Sequence, residues 1–325
     1  MDNINYLEIF EEYRQKILNL NQYAWDNDKT WDDIEKWLEN FHGTFVCSFE
    51  QRNKEKLLAL HLLSNFNYFS QDLVRQMLKS CYEDLLIIPL KQTIRKKNKD
   101  TLDIDLISRE LESELSKTKF IGAGNPSESG THLLYFFRQM NGLKTNNFCD
   151  FHESFIEDPL GNIVLRDSET KRFIFFDDLV ASGDQLNKFT VKRVQKIKKS
   201  HPEIEIHFMC MFATEKALKK INDSNAFDGK AKSLFILDES YKVFGKKSRY
   251  FKSGRNKISK NKLKNFNGTY SRLLVGCERH KHGYNDSQLM IGFSYNTPDN
   301  SLPIFWKEND SFIPVFKRYK KWEGA

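Results

Sequence analysis

The stretch "RFIFFDDLVASGDQL", residues 172–186, decides the fold class. Phe173 to Phe176 are four consecutive apolar residues and read as a short strand buried on both faces, as in a parallel sheet. Asp177 and Asp178 follow at the carboxyl end of that strand, where open α/β sheets place their ligands. A small-residue turn then opens an amphipathic helix expected over about 184–200.

Outward from this stretch, strands and helices alternate. "KFIG" (119–122) reads as a short strand, followed by a Gly-containing turn and a helix from Pro126 to Met140 that "NG" at 141–142 closes. "EIHFMCMF" (205–212) and "SLFIL" (233–237) are further buried strands, with a short helix, "TEKALKKI", between them. The alternation predicts an α/β fold, a mostly parallel sheet with helices on both faces.

Residues 1–98 read instead as helical throughout. Ile4, Leu7, Phe10, Ile17 and Leu18 recur at helical spacing, and "TWDDIEKWLENF" puts Trp31, Ile34, Leu38 and Phe41 on one face. Thr30 with Asp33 resembles a capping box opening that helix. Two more helices are expected over 51–65 and 70–87, before Pro89, and another over 103–117. The polar "RKKNKD" (95–100) reads as a linker. The expected organisation is thus an all-helical N-terminal domain, 1–98, and an α/β domain, 99–325. The latter carries a basic insertion at about 246–267 and a C-terminal strand and loop extension.

At 325 residues the chain can hold two domains with real cores, and 39% hydrophobic with 29% charged residues is a soluble globular balance. The longest apolar runs, such as "LLIIPL" (85–90), are too short to cross a bilayer. The acidic start "MDNINYLEIFEEY" lacks a signal region, and five cysteines without a C-x-x-C pair argue for reduced thiols, so a cytoplasmic location is expected. A net charge of +7 suits phosphorylated partners without requiring nucleic acid.

The loop "ASGDQ" joins the strand to a helix, so its backbone amides face outward at a positive helix terminus and suit a phosphate. Two carboxylates just upstream could hold ribose hydroxyls or a magnesium ion. The order of acid, acid, apolar, apolar, small, hydroxyl and Gly resembles the phosphoribosyl pyrophosphate (PRPP) signature of type I phosphoribosyltransferases. The resemblance implies a phosphoribosyltransferase-like sheet over roughly 119–240, PRPP as substrate, and Mg²⁺. Carried over, Asp177 and Asp178 would contact the ribose and, indirectly, the metal, while Ala181, Ser182, Gly183, Asp184 and Gln185 would wrap the 5-phosphate. Asp184 departs from the Gly, Lys or Thr usual in the family, and a carboxylate there repels phosphate. Ser182 and Gln185 also fit a capping box, which would close the helix with no ligand.

"FIGAGNPSESGTHLLYFFRQMNGL" (120–143) holds a second turn at a helix start. Gly122 and Gly124 let the backbone bend, Asn125 can cap, Pro126 suits the first helical position and Glu128 completes a capping box. No Lys-Ser/Thr follows the glycines, and Ser127 stands where a dinucleotide fingerprint needs its third Gly. In the resembled family this region holds pyrophosphate. That implies a role for Gly122, Gly124, Ser127, Ser129 and Gly130, although Glu128 stands where a cation is expected. A helix entry with no ligand fits equally.

From Lys246 to Asn267 there are nine Lys/Arg and no acid, with Tyr250, Phe251 and Phe266 interleaved. The stretch could grip nucleic acid or a phosphorylated substrate, with Arg255 a contact, or be a solvated loop. Cys277, His280 and His282 lie close together, but no fourth zinc ligand is evident. In the tail "SYNTPDNSLPIFW" (294–306), Trp306 and Phe305 either pack into the core or wall a pocket. With "WDDIEKWLENF" and "PSESG", the tail resembles phosphoribosyltransferase-like proteins encoded among bacterial conflict and antiviral defence systems, held to be effectors. That resemblance implies an enzyme moving a ribosyl phosphate group to or from a nitrogenous acceptor. The alternatives are a non-catalytic nucleotide sensor signalling to a defence-system partner through its helical half, and a nucleic-acid binder.

Overall fold

The computed structural model describes residues 6–123, 129–186, 190–251 and 258–319. The chain forms two compact units, Met1–Val74 with Asp238–Ala325, and Arg75–Leu237. The first unit begins with helices α1 (Tyr6–Tyr23), α2 (Trp31–Leu38) and α3 (Arg52–Leu63) and strand β1 (Asn67–Phe69). The boundary falls within α4 (Gln71–Tyr82), which a π-helical turn, Glu83–Ile87, joins to α5 (Ile88–Lys97). The second unit continues with α6 (Ile104–Ser116), β2 (Thr118–Gly122), α7 (Ser129–Met140), α8 (Phe151–Ser154) and the hairpin β3 (Phe155–Glu157) and β4 (Ile163–Leu165). It ends with β5 (Arg172–Val180), α9 (Asp184–Leu186), α10 (Lys192–Ser200), β6 (Glu205–Thr214), α11 (Glu215–Asp223) and β7 (Lys232–Leu237). The chain then returns to the first unit with α12 (Lys260–Val275) and β8 (Ile291–Phe293).

The second unit carries the parallel sheet that the alternation predicted, in the order β2-β5-β6-β7. Phe120 pairs with Ile174 and Phe175 with Phe208, so apolar side chains line both faces. On one face Ile121, Phe173, Phe175, Ile206 and Phe208 share a core with Val194 and Ile197 of α10 and Ala217 and Ile221 of α11. On the other, Phe137 of α7 meets Phe120 at 5.2 Å and Phe176 at 5.3 Å, and Tyr82 packs edge-on against Phe137. Burial on both faces is why these strands read as unbroken apolar runs. At the amino end of the sheet Arg172, almost buried, is held by Glu205 at 2.7 Å, Glu114 at 3.1 Å and the Thr118 hydroxyl at 3.3 Å.

In the first unit α2 has the expected capping box: Asp33 N donates to Thr30 Oγ1 and Thr30 N to Asp33 Oδ2. Ile34, Leu38 and Phe41 are buried as expected, and Trp37 with them, while Trp31 is only half-buried. The tail packs into this core. Phe305 is fully buried and stacks on Trp37, whose Nε1 donates to Ile304 O at 2.8 Å. Phe66 and Tyr68 stack on Phe316 at 4.5 and 4.8 Å. Such aromatic pairs contribute about 0.5–1.5 kcal/mol each beyond their buried area.

The units depart from the expected boundaries of 1–98 and 99–325. The apolar faces of the first helices find their partners in the C-terminal third, and β1 pairs in parallel with β8. Residues 75–98 belong with the sheet. "RKKNKD" is the last turn of α5 and the tight turn after it rather than a domain linker: Lys99 and Asp100 take positive φ, Asp100 N donates to Arg95 O at 2.8 Å, and Asn98 Nδ2 donates to Glu110 at 3.1 Å.

Candidate functional site

Strand β5 runs four residues past Phe176, because β6 is long enough to supply partners for Asp177, Leu179 and Val180 in Cys210, Phe212 and Ala213. The acidic pair therefore lies inside the last turn of the ladder, not beyond it. Asp177 continues the phase of Phe173 and Phe175, and Asp178 that of Ile174 and Phe176, so the two carboxylates start from opposite faces of the strand. The ladder to β6 skips Asp178, whose own Oδ1 takes the Leu179 N–H at 2.7 Å. Asp177 Oδ1 likewise accepts from Asp178 N at 2.9 Å. Each carboxylate is thus fixed by the amide that follows it, and Asp178 is almost buried while Asp177 is half-buried.

The loop beyond the strand rests on the start of α11. Thr214, the last residue of β6, donates its hydroxyl to Ala181 O at 2.7 Å and accepts from Ala217 N at 3.1 Å, so one side chain both ties the loop and caps the helix. Gly183 turns the chain at φ +70°, a left-handed conformation that suits glycine. Ser182 Oγ accepts from Asp184 N at 3.2 Å. Asp184 forms an ion pair with Lys220 of α11. The Lys220 hydrogen bond, with help from Ser182 and Lys216, holds the Asp184 carboxyl below its ordinary value. The negative charge that the sequence placed in a phosphate loop is therefore answered locally.

The end of β2 lies beside β5 just before the acidic pair. Gly122 pairs with Phe176, the residue before Asp177, and Ala123 N donates to Phe176 O at 2.8 Å. A Cβ on Gly122 would sit 2.5 Å from Thr131 Oγ1 and 2.8 Å from Thr131 N, and one on Gly130 would sit 2.9 Å from Phe176 O. These glycines let α7 start directly against the end of β2 and against Phe176 of β5. Gly122→Ala is expected to cost ~1–3 kcal/mol by overpacking, read as a lower urea midpoint of the second unit, whereas a solvent-facing loop glycine would cost almost nothing. Gly124 and Ser127 lie outside the described residues, as do the side chains of Ser129 and Gln185, and Arg255 of the basic stretch.

The structure thus brings Gly122, Gly130, Asp177 and Asp178 to the carboxyl ends of adjacent strands, with Ala181–Asp184 seated on α11. The sequence reading missed Thr214 and Lys220. Thr214 had a local signal as the capping residue of "TEKALKKI"; Lys220 had none, since only the fold places it beside Asp184.

The PRTase-CE family model matches residues 34–318, across both units. The chain belongs to the PRTase-CE family. Among solved structures, this PRTase-CE chain is similar to the Helicobacter pylori xanthine-guanine-hypoxanthine phosphoribosyltransferase. That match has 11% identity and a TM-score of 0.27, over 54% of this chain and 86% of that one. No curated protein matches it. No helix among the described residues is long and apolar enough to cross a membrane.

Among the described residues of this PRTase-CE protein no three His, Cys, Asp or Glu side chains gather to hold a metal ion. Cys277, His280 and His282 form no such group either; Asn267 Nδ2 donates to His282 Nδ1 and Asn285 N to His280 Nδ1. A single carboxylate suffices for Mg²⁺, which binds through one or two carboxylates plus substrate oxygens, and the half-buried Asp177 fits that role better than the almost buried Asp178 on the opposite face.

Proposed function

We propose that this protein binds PRPP or a related ribosyl phosphate at the ends of β2 and β5 and transfers the ribosyl phosphate to or from a nitrogenous acceptor. One observation carries the reading: the end of β2 at Gly122 and the start of α7 at Gly130 abut Phe176, the residue before an acidic pair near the end of β5. Family membership supports it. Asp177 and Asp178 orient the sugar hydroxyls, the backbone from Ala181 to Gln185 receives the 5-phosphate, and the Gly122–Gly130 turn receives the pyrophosphate. When bound, Mg²⁺ would be held by Asp177, with Asp178 acting indirectly, and by substrate oxygens, and would supply charge neutralisation to the pyrophosphate. The second reading, a nucleotide sensor without turnover, uses the same groups. The tail, "WDDIEKWLENF" and "PSESG" support placing either activity in bacterial antiviral defence, in the cytoplasm, with a further defence protein as partner. Loss of phage protection by a strain carrying Asp178→Asn is the expected result.

Calorimetry with PRPP and MgCl₂ tests the binding. The wild type is expected to bind, and Asp177→Asn and Asp178→Asn each to bind at least tenfold more weakly, the loss of a charge-assisted hydrogen bond of ~1.5–3 kcal/mol. A wild-type chain that evolves no heat at millimolar PRPP sinks the reading. Pyrophosphate release with a nucleobase panel separates enzyme from sensor.

The Asp184–Lys220 pair gives a second, opposite-signed expectation. Asp184→Asn removes an anion beside the loop and should tighten PRPP binding severalfold, whereas Lys220→Ala should weaken it. Equal affinities in both variants would show that the loop does not hold the phosphate.

A further inference from the structure

The positive charge of this chain is concentrated in one place. Between Lys242 and Lys281 there are thirteen Lys/Arg and a single acid, Glu278, a local charge of +12 in a chain whose total is +7, so the remainder is −5. The described part of this segment forms a ribbon within the first unit. Lys260 Nζ donates to Gly245 O at 2.9 Å, which brings the Lys246–Lys247 turn beside the start of α12. Lys264 follows one turn along. Asn267 Nδ2 donates to Lys281 O at 3.1 Å, so Lys281 lies beside the middle of the helix, and Arg272 closes the row. Arg272 and Lys281 share Glu278, at 3.2 and 2.5 Å. Lys246, Lys247, Lys264 and Arg279 are exposed.

The placement of these lysines works against local stability. The first turn of α12 holds no acid, and Lys260, Lys262 and Lys264 crowd the end of the helix where its dipole disfavours cations. Leu263, Phe266, Tyr270 and Leu274 turn inward, leaving a solvent face of Asn261, Lys264, Asn265, Arg272 and Leu273. The helix is about 24 Å long, the length of about seven phosphates along one strand. Next to Arg279, the exposed Tyr284 ring stacks on His280 at 4.9 Å, a flat platform of the kind on which bases stack.

We infer that the α12 face, flanked by the Lys246–Lys247 turn and the Arg279–Tyr284 segment, is a nucleic-acid interface that takes the phosphodiester backbone without reading sequence. Charge complementarity along a row selects a polyanion over a single phosphate, and the His280–Tyr284 platform favours an unpaired strand over a duplex or a lipid headgroup. The inference does not rest on the PRPP reading, and Asp178→Asn is expected to leave it unchanged.

Fluorescence anisotropy of the full-length protein with labelled 20-nucleotide single strands of RNA and DNA, and with the matching duplex, tests it. The wild type is expected to bind the single strands at 50 mM salt and to lose about 10²-fold or more at 200 mM, as counterion release at four to five phosphates requires. The combined Lys246→Glu, Lys247→Glu and Lys264→Glu variant is expected to lose at least tenfold. The corresponding Gln variant, which adds no new acid and so spares folding, is expected to lose less and to flatten the salt slope by about two. Absence of binding at 50 mM salt, wild-type affinity in the Gln variant, or binding to phosphatidylserine vesicles alone overturns the inference. So does preference for the duplex.

Discussion

Glu55→Ala is expected to cost the first unit ~3–5 kcal/mol, a large share of the stability of a typical domain. The carboxylate is fully buried on α3. It accepts from Gly43 N at 2.8 Å, Phe45 N at 2.6 Å and Val46 N at 2.8 Å, and from the Tyr270 hydroxyl on α12. Burial, and then Glu55 itself, push the Tyr270 hydroxyl well up, so it remains a donor at every relevant pH. The loop it organises is tight: Gly43 takes φ +108°, and a Cβ there would lie 2.4 Å from Ser48 O. Alanine leaves three amides without their acceptor and no water-sized replacement designed for them, which is the expensive way to lose a charge. Urea titration at pH 7 measures it. Tyr270→Phe, which removes one donor of four, should cost ~1–2 kcal/mol. An Ala variant within 1 kcal/mol of wild type would mean that the loop finds its hydrogen bonds elsewhere.

Acid should destabilise the same unit well above the pH at which carboxylates titrate. His61 and His282 are 4% and 3% exposed, and burial, before any neighbouring charge, lowers both to about 4. Lys16 adds to the effect at His61, and Lys264 and Lys281 add to it at His282, against Asp286 and Glu278. The hydrogen bonds agree at His282. The Asn267 amide has its orientation set by Lys281 O and by the Ser271 hydroxyl, so it presents an N–H to His282 Nδ1, which must accept. Because both folded values are depressed, the unfolded chain takes up protons first. The stability is complete above about pH 6.5 and is lost as pH falls toward 4. The loss amounts to about 2–3 kcal/mol per histidine at pH 4.5. Denaturant titrations at pH 7 and 4.5 should show it in the wild type and show it halved in His61→Gln. Equal midpoints at the two pH values would mean that these rings are charged in the folded state.

What the sequence could reveal followed from how local each signal is. The runs at Phe173–Phe176, 205–212 and 233–237 announce strands because both faces of the sheet are covered by helices. The Thr30–Asp33 capping box needs only four residues. The extension of β5 through Asp177–Val180 was hidden, since aspartates are poor strand formers and only the length of β6 compels pairing there. Strand β1 has three residues and exists because β8, more than two hundred positions away, lies beside it. Glu55 looks like one more surface glutamate in "RNKEKLLALHLL", and nothing local shows that it is the anchor of a loop. Both turns of the candidate site were legible as helix entries; that Gly122 lies beside Phe176 was not, because adjacency of β2 and β5 is a property of the sheet.

The sheet-bearing unit is one continuous segment, Arg75–Leu237, whereas the other unit is divided between the segments before and after it in sequence. A ribosome therefore finishes the continuous unit while the divided one is still half-made. Trp37, Phe41 and Phe66 have emerged long before Phe266, Phe305 and Phe316 exist to cover them. The N-terminal helices must wait, greasy side exposed, for a hundred and more residues of synthesis. Nascent-chain proteolysis should find residues 75–237 resistant first and residues 6–74 protected only after residues 258–319 have followed, a birth order that makes the divided unit the natural client of chaperones.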